Sequence, residues 1–349
     1  MSSLPWIVFV VLVLLLLALD LGVLNRSPRR ITAREALRWT AFWVLLAMTW
    51  NVALGFMYEY HWFGIGVHYG MHLSGQQAAL QFLTSYLVEE SLIVDNLFVM
   101  AMVFRYFSVP ERLQHRVLFF GILGALVFRG IFIVAGLALI NLFSWTVYVF
   151  GALLVYTAVR MLFTKDDDLH PEQNPLLRLA RRVLPITSSY HDERFLVRLE
   201  GRMHATPLLL ALVFIEASDV VFAVDSVPAV FGVTRDPFIA FTSNVFAILG
   251  LRSLYFAIAA VMSSFRYIKV SLVLVLGFVG VKMLLTHHMP IGSGISLGVI
   301  VSLLGLGVIA SLVAKPKPEL EAPTEPRDQS VAAGTPGLGA AERTPDNLR

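Results

Sequence analysis

"SYLVEESLIVDNLFVMAMVF", residues 85–104, sets Glu89, Glu90 and Asp95 inside a run otherwise apolar enough to cross a lipid bilayer. A charge at the bilayer centre costs upward of about 2.5 kcal/mol, and charges kept at that cost face a bundle interior or a watered path. The stretch therefore points to a membrane-spanning helix bundle with a polar route through it. Composition agrees: 57% of the 349 residues are hydrophobic and 15% are charged, a more apolar balance than soluble domains carry.

A hydrocarbon core needs roughly 20 apolar residues per helix. Runs of that kind fall near residues 5–24, 39–57, 80–104, 117–140, 144–163, 207–231, 238–262, 268–285 and 291–313. They are long and continuous rather than short and alternating, which excludes a β-barrel reading. The expected fold is an all-α polytopic membrane protein with about nine transmembrane helices. The first run lacks a basic n-region and a small-residue cleavage site, so it reads as a helix rather than a signal peptide. Arg26, Arg29, Arg30, Arg34 and Arg38 follow it, and the excess of basic residues on cytoplasmic loops puts them inside and the N-terminus outside. Propagated along the chain, that choice keeps Arg105, Arg112 and Arg116, the loop 164–206, Arg266 and Lys269 in the cytoplasm. The expected location is a bacterial inner membrane.

The formal net charge of +3 thus reports basic loops and calls for no nucleic-acid partner. With no Cys, thiolate metal sites, disulfides and cysteine nucleophiles are excluded. Residues 314–349 are rich in Pro, Ala, Gly and charge and read as a disordered cytoplasmic tail.

A second acidic run, "PLLLALVFIEASDVVFAVDSVPAVF" at 207–231, carries Glu216, Asp219 and Asp225. Aligning Asp95-Asn96 with Asp225-Ser226 sets Glu89 over Asp219, and each copy continues into a run with a Gly and a deep Arg, Arg129 in one and Arg252 in the other. The loop charges give the two copies opposite directions, the inverted-topology repeat of many secondary transporters. The chain then divides into two N-terminal helices with an outer loop (1–78), a first repeat (79–163), a cytoplasmic loop (164–206), an inverted repeat (207–285), a last helix (286–313) and the tail.

Two arginines cannot neutralise six carboxylates, and Lys282 lies nearer the outer end of its run. The excess must be protonated or hold a cation. Asp, Glu, Asn96, Ser226 and freed backbone carbonyls are hard oxygen donors that suit Mn²⁺, Mg²⁺ or Ca²⁺. The candidate metal ligands are Glu89, Asp95, Asn96, Glu216, Asp219, Asp225 and Ser226, with Glu216 as an alternative proton carrier. Arg129 and Arg252 are structural or coupling charges. Glu90 has no acidic counterpart and is expected to make a packing hydrogen bond or pair with an Arg. Pro228 cannot donate to residue 224, which predicts a kink or unwound turn near Asp225-Ser226. Asp20 is expected to snorkel or cap at the inner interface, and Asn244, Gly277 and Gly280 to serve helix packing. His61, His68, His72, His287 and His288 in the outer loops, and the run "KDDDLH" at 165–170, read as solvated surface.

The stretches "EESLIVDNLFVMAMVFRYFSVP", "RVLFFGILGALVFRGIFI" and "FIEASDVVFAVDSVPAVFGVTRDPFIAFTSNVFAILGLRSLYF" resemble the TerC family of integral membrane proteins from about Leu4 to Val313. The resemblance implies association with tellurium resistance and, for several bacterial members, manganese export. It places the family's intramembrane acids on Glu89, Asp95, Glu216, Asp219 and Asp225. It also implies an alternative, since members are linked to alkaline-pH response and to membrane-protein assembly. The expectation is a non-enzymatic exporter of a divalent cation, with Mn²⁺ first, no permanent cofactor, protons as a second ligand and the lipid bilayer as its surroundings. A scaffold acting through loop 164–206 and the tail is the rival reading. An intramembrane aspartyl protease is a poor fit, because Asp95 and Asp225 each follow Val rather than a Gly-x-Gly motif.

Overall fold

The computed structural model describes residues 4–24, 32–65, 73–163, 185–187, 190, 193–199, 201–259, 268–286, 288–289 and 291–313. The tail, the "KDDDLH" run, His68, His72 and His287 lie outside the described residues. The helices are α1 (Leu4–Leu24), α2 (Ala33–Glu59), α3 (Gly75–Tyr106), α4 (Glu111–Leu142) and α5 (Thr146–Phe163), then α6 (Pro207–Phe231), α7 (Pro237–Leu249), α8 (Leu251–Ala259), α9 (Ile268–Leu284) and α10 (Ser293–Val313).

Among the described residues, five helices, α2, α4, α5, α6 and α10, are long and apolar enough to span a bilayer, and α7 with α8 makes a sixth if the bent pair counts as one span. α3 is long enough at 32 residues, but Glu89, Glu90 and Asp95 interrupt its apolar run. The expected single span over 238–262 is broken. α7 and α8 meet at Gly250 with a bend of 44°. The opposite correction applies to α6, which stays helical through Asp225, Ser226 and Pro228, so no unwound turn forms. Pro228 lies in the last turn before Phe231, where losing one donor ends the helix rather than breaking it.

Local chemistry sets the starts of the central helices. Ser74 accepts from Gln77 N while the Gln77 side chain accepts from Ser74 N, a capping box that opens α3. Thr206-Pro207 opens α6, with Pro at the first helical position where no donor is needed. Asp236 opens α7 by accepting from the N–H groups of Phe238 and Ile239.

Glycines set the approach of neighbouring helices. Along α4, Gly121 faces Ile215, Gly124 faces Glu216, and Gly136 faces Val227 and Phe231, so α4 and α6 run parallel. On the other side, Thr234 just before α7 bonds Gln81, Asn244 bonds Glu89, and Phe104 packs edge-on against Tyr255 of α8. That order makes α3 and α7 parallel as well. α3 and α4 are joined by a tight hairpin, so the four helices form two parallel pairs of opposite sense. Around them, α5 packs antiparallel on α9, where Gly151 and Gly280 bring the backbones together. Apolar side chains such as Leu14, Leu45, Val134 and Leu306 point outward, as hydrocarbon requires.

The all-α expectation needs one correction. Leu196–Leu199 and Arg202–Ala205 pair as an antiparallel hairpin in the stretch read as loop, with Gly201 at φ +80° supplying the turn. It docks beside the α3–α4 connection. Tyr190 donates to the Phe107 carbonyl at 2.6 Å, and Arg116 pairs with Glu193 while lying over the Phe195 ring.

Candidate ion-handling site

The deepest polar cluster lies where α3, α4, α6 and α7 meet. Arg129 of α4 is 2% exposed and is ion-paired with Glu89 of α3, itself fully buried. Its second terminal nitrogen reaches Asp219 Oδ1 of α6 at 3.2 Å. Asn244 of α7 completes the ring: its Oδ1 accepts from Arg129 at 2.9 Å and its Nδ2 donates to Glu89 Oε2 at 3.2 Å. One turn before Asp219, the Glu216 carboxylate packs against Gly124, in space that any side chain at 124 would fill.

Two carboxylates thus share one guanidinium, with a third, Glu216, one turn along α6 from Asp219, and their hydrogen bonding is incomplete. Asp219 Oδ2 and Glu216 Oε2 are buried without a hydrogen-bond partner among the described residues. Buried polar atoms are nearly always satisfied, so the cluster has acceptor capacity to spare. It also carries more negative charge than Arg129 balances.

Asp95 and Asp225 do not join this layer. Each lies six residues beyond Glu89 or Asp219, about 9 Å along its helix, and α3 and α6 run in opposite directions. The two aspartates therefore flank the Arg129 layer from opposite sides, and both are half-buried. Asp225 accepts from Thr157 Oγ1 of α5 at 2.8 Å. The neighbouring Asn96 and Ser226 are buried, and Asn96 Nδ2 and Ser226 Oγ have no hydrogen-bond partner. Among the described residues no three His, Cys, Asp or Glu side chains converge as a ready-made metal cage.

Sequence spacing assigned two residues to other places. Arg252, aligned with Arg129, does not enter the cluster: it pairs with Asp20 of α1 at 3.4 Å, both buried, so Asp20 has an ion partner that its sequence position did not announce. The break at Gly250 separates Arg252 from α7 and turns it toward α1. Asn244, read as a packing residue, takes the central position instead. Its position near the middle of an apolar run, with a side chain able to donate and accept at once, was the available signal. Glu90 makes the expected packing bond, accepting from Tyr86 OH at 2.7 Å. His61 is exposed, as expected of an outer-loop histidine.

Residues 74–319 match the family model described as "Integral membrane protein TerC family". The chain belongs to the TerC family. This TerC protein is 46% identical over 308 residues to "Uncharacterized membrane protein STKORF319" of Myxococcus xanthus, covering 88% of this chain and 92% of the relative. It is 44% identical over 311 residues to "Putative membrane-bound redox modulator Alx" of Salmonella typhi, covering 88% and 94%. The protein of the same name from Escherichia coli K12 is 45% identical over 306 residues, covering 87% and 92%. No solved structure matches the chain.

Proposed function

We propose that this TerC protein exports a divalent metal cation, with Mn²⁺ as its principal substrate, by alternating access of two inverted repeats spread over about nine spans. The observation that carries the reading is the pair Glu89 and Asp219 held by a single Arg129, with Glu216 one turn from Asp219 and buried carboxylate oxygens left unbonded. Excess anionic oxygen inside a bilayer is neutralised by a proton or a cation, and this donor set is the hard oxygen chemistry that Mn²⁺ accepts.

The two parallel pairs support the repeat. Exchanging α3 with α6 and α4 with α7 turns the α3–α7 pair into the α6–α4 pair, and both pairs are parallel. Glu89 and Asp219 exchange across Arg129 under the same operation. Asp95 on one side and Asp225 on the other then serve as approach sites to the central layer, helped by Asn96 and Ser226. By the basic-loop rule Asp95 faces the cytoplasm and Asp225 the outside, in an inner membrane with the N-terminus outside. A relative's name speaks of redox modulation. The absence of Cys here leaves thiol exchange out of such a role and favours an indirect route through metal balance.

Manganese uptake into everted vesicles tests the proposal. The wild-type protein accumulates Mn²⁺, and Asp95→Asn and Asp225→Asn each lower the rate by about tenfold or more, the effect of removing one charged ligand. Wild-type rates in both variants overturn it.

A further inference from the structure

We infer that Arg129 is a tethered counter-cation: it occupies Glu89 and Asp219 when the carrier is empty, and the transported metal must displace it. The inference rests on the metal-export reading and adds a mechanism for the empty state.

Glu89 and Asp219 are buried acids at aligned positions of the two repeats, and each spends one oxygen on the Arg129 fork. Metal and guanidinium thus compete for the same carboxylates, and the affinity measured for the metal is reduced by the strength of the Arg129 grip. Asn244 sets that strength. It holds Arg129 through Oδ1 and orients Glu89 through Nδ2, so the guanidinium is presented to the acids rather than left to find them. Asp219 Oδ2 and Glu216 Oε2, buried without hydrogen bonds, are the oxygens from which an arriving cation starts the exchange. The Arg129 Nε is likewise unbonded, so the side chain is held at its tip alone and can withdraw without breaking a bond at its root.

The consequence lies in the return step. A carrier that has released its ion must reorient with its carboxylates in low dielectric, where unpaired charges are costly. Arg129 offsets one of the two charges of the emptied pair without a proton from either side. Its removal should therefore spare metal-for-metal exchange, in which the site is always filled, and stop net transport, in which it must return empty.

The test uses the full-length protein, with manganese binding measured in nanodiscs and both net uptake and manganese–manganese exchange measured in proteoliposomes. Arg129→Gln is expected to bind Mn²⁺ about tenfold more tightly, to lose net uptake by a similar factor and to keep exchange, as expected on losing one charge-assisted competitor. Arg129→Lys keeps the charge but cannot fork between two carboxylates; it tightens binding by less and retains part of the net uptake. It carries the test if the Gln variant fails to fold. Unchanged or weaker manganese affinity in the folded variants, or parallel loss of exchange and net uptake, overturns the tethered-cation role while wild-type uptake leaves the export reading standing. Absence of binding and uptake in the wild-type protein overturns both.

Discussion

Gly124 of α4 and Glu216 of α6 are fitted to one another: a methyl group at residue 124 would overlap the Glu216 carboxylate. The glycine is therefore a recess for a carboxylate, not only a device for close helix packing. Gly124→Ala gains helix propensity of about 0.8–1 kcal/mol, and the flexible end of Glu216 can move aside. Thermal stability in detergent should change little. Vesicle uptake should nevertheless fall by about tenfold, because Glu216 is driven from the central layer. A variant that keeps both stability and uptake would show that Glu216 has no part in handling the ion.

Asn244 gives a contrasting case. Its one side chain satisfies Arg129 and Glu89 together, so Asn244→Leu leaves a buried donor and a buried acceptor without their partner. The expected loss is about 1–3 kcal/mol, the cost of unsatisfied buried polar groups, read as a lowered midpoint in detergent unfolding. Asn244→Asp keeps the contact to Arg129 but sets a like charge beside Glu89, and should be destabilised unless Mn²⁺ is present. Equal midpoints for wild type and Asn244→Leu would refute the central role given to this residue.

Much of this was legible in the sequence, for a physical reason. Charge in a bilayer is too costly to be incidental, so Glu89, Asp95, Glu216, Asp219 and Asp225 declare themselves, and the two acids that the shared six-residue spacing aligns, Glu89 and Asp219, both contact Arg129. What failed was geometry that spacing alone does not encode. Asp95 and Asp225 were expected to share one site with Glu89 and Asp219, but the opposite directions of α3 and α6 carry them to opposite sides of it. The bend at Gly250 was hidden because glycine is ordinary in membrane helices. Pro228 misled in the reverse direction, since a proline in a helix's last turn has little helix left to disrupt.

The α5–α9 contact predicts a purely structural response. A Cβ at Gly280 would lie 2.9 Å from the Gly151 carbonyl oxygen, and one at Gly151 would lie 3.0 Å from that of Gly280. Backbone cannot yield as Glu216 can. Gly280→Val should separate the helices and cost about 1–3 kcal/mol of stability, as overpacking typically does. Manganese affinity of the folded fraction should be unchanged, because neither glycine approaches the Arg129 layer. Reduced affinity without reduced stability would contradict that separation.

The pair formed by Asp20 of α1 and Arg252 of α8 makes a prediction in which two lesions are milder than one. Both groups are buried, and the two terminal nitrogens of Arg252 make no hydrogen bond even though one lies 3.4 Å from Asp20 Oδ2. The contact therefore balances charge without gaining the energy of a well-formed fork. Removing one partner leaves an uncompensated buried ion, at a cost of about 3–5 kcal/mol, whereas replacing both with apolar groups of similar volume is often neutral or stabilising. Asp20→Leu and Arg252→Met should each unfold early in detergent, and the Asp20→Leu/Arg252→Met double variant should recover most of the wild-type midpoint. The double variant should also transport manganese, since the pair lies outside the Arg129 layer. Additive destabilisation in the double variant would mean that the two residues act independently, and recovered stability without transport would place the pair in the conformational cycle.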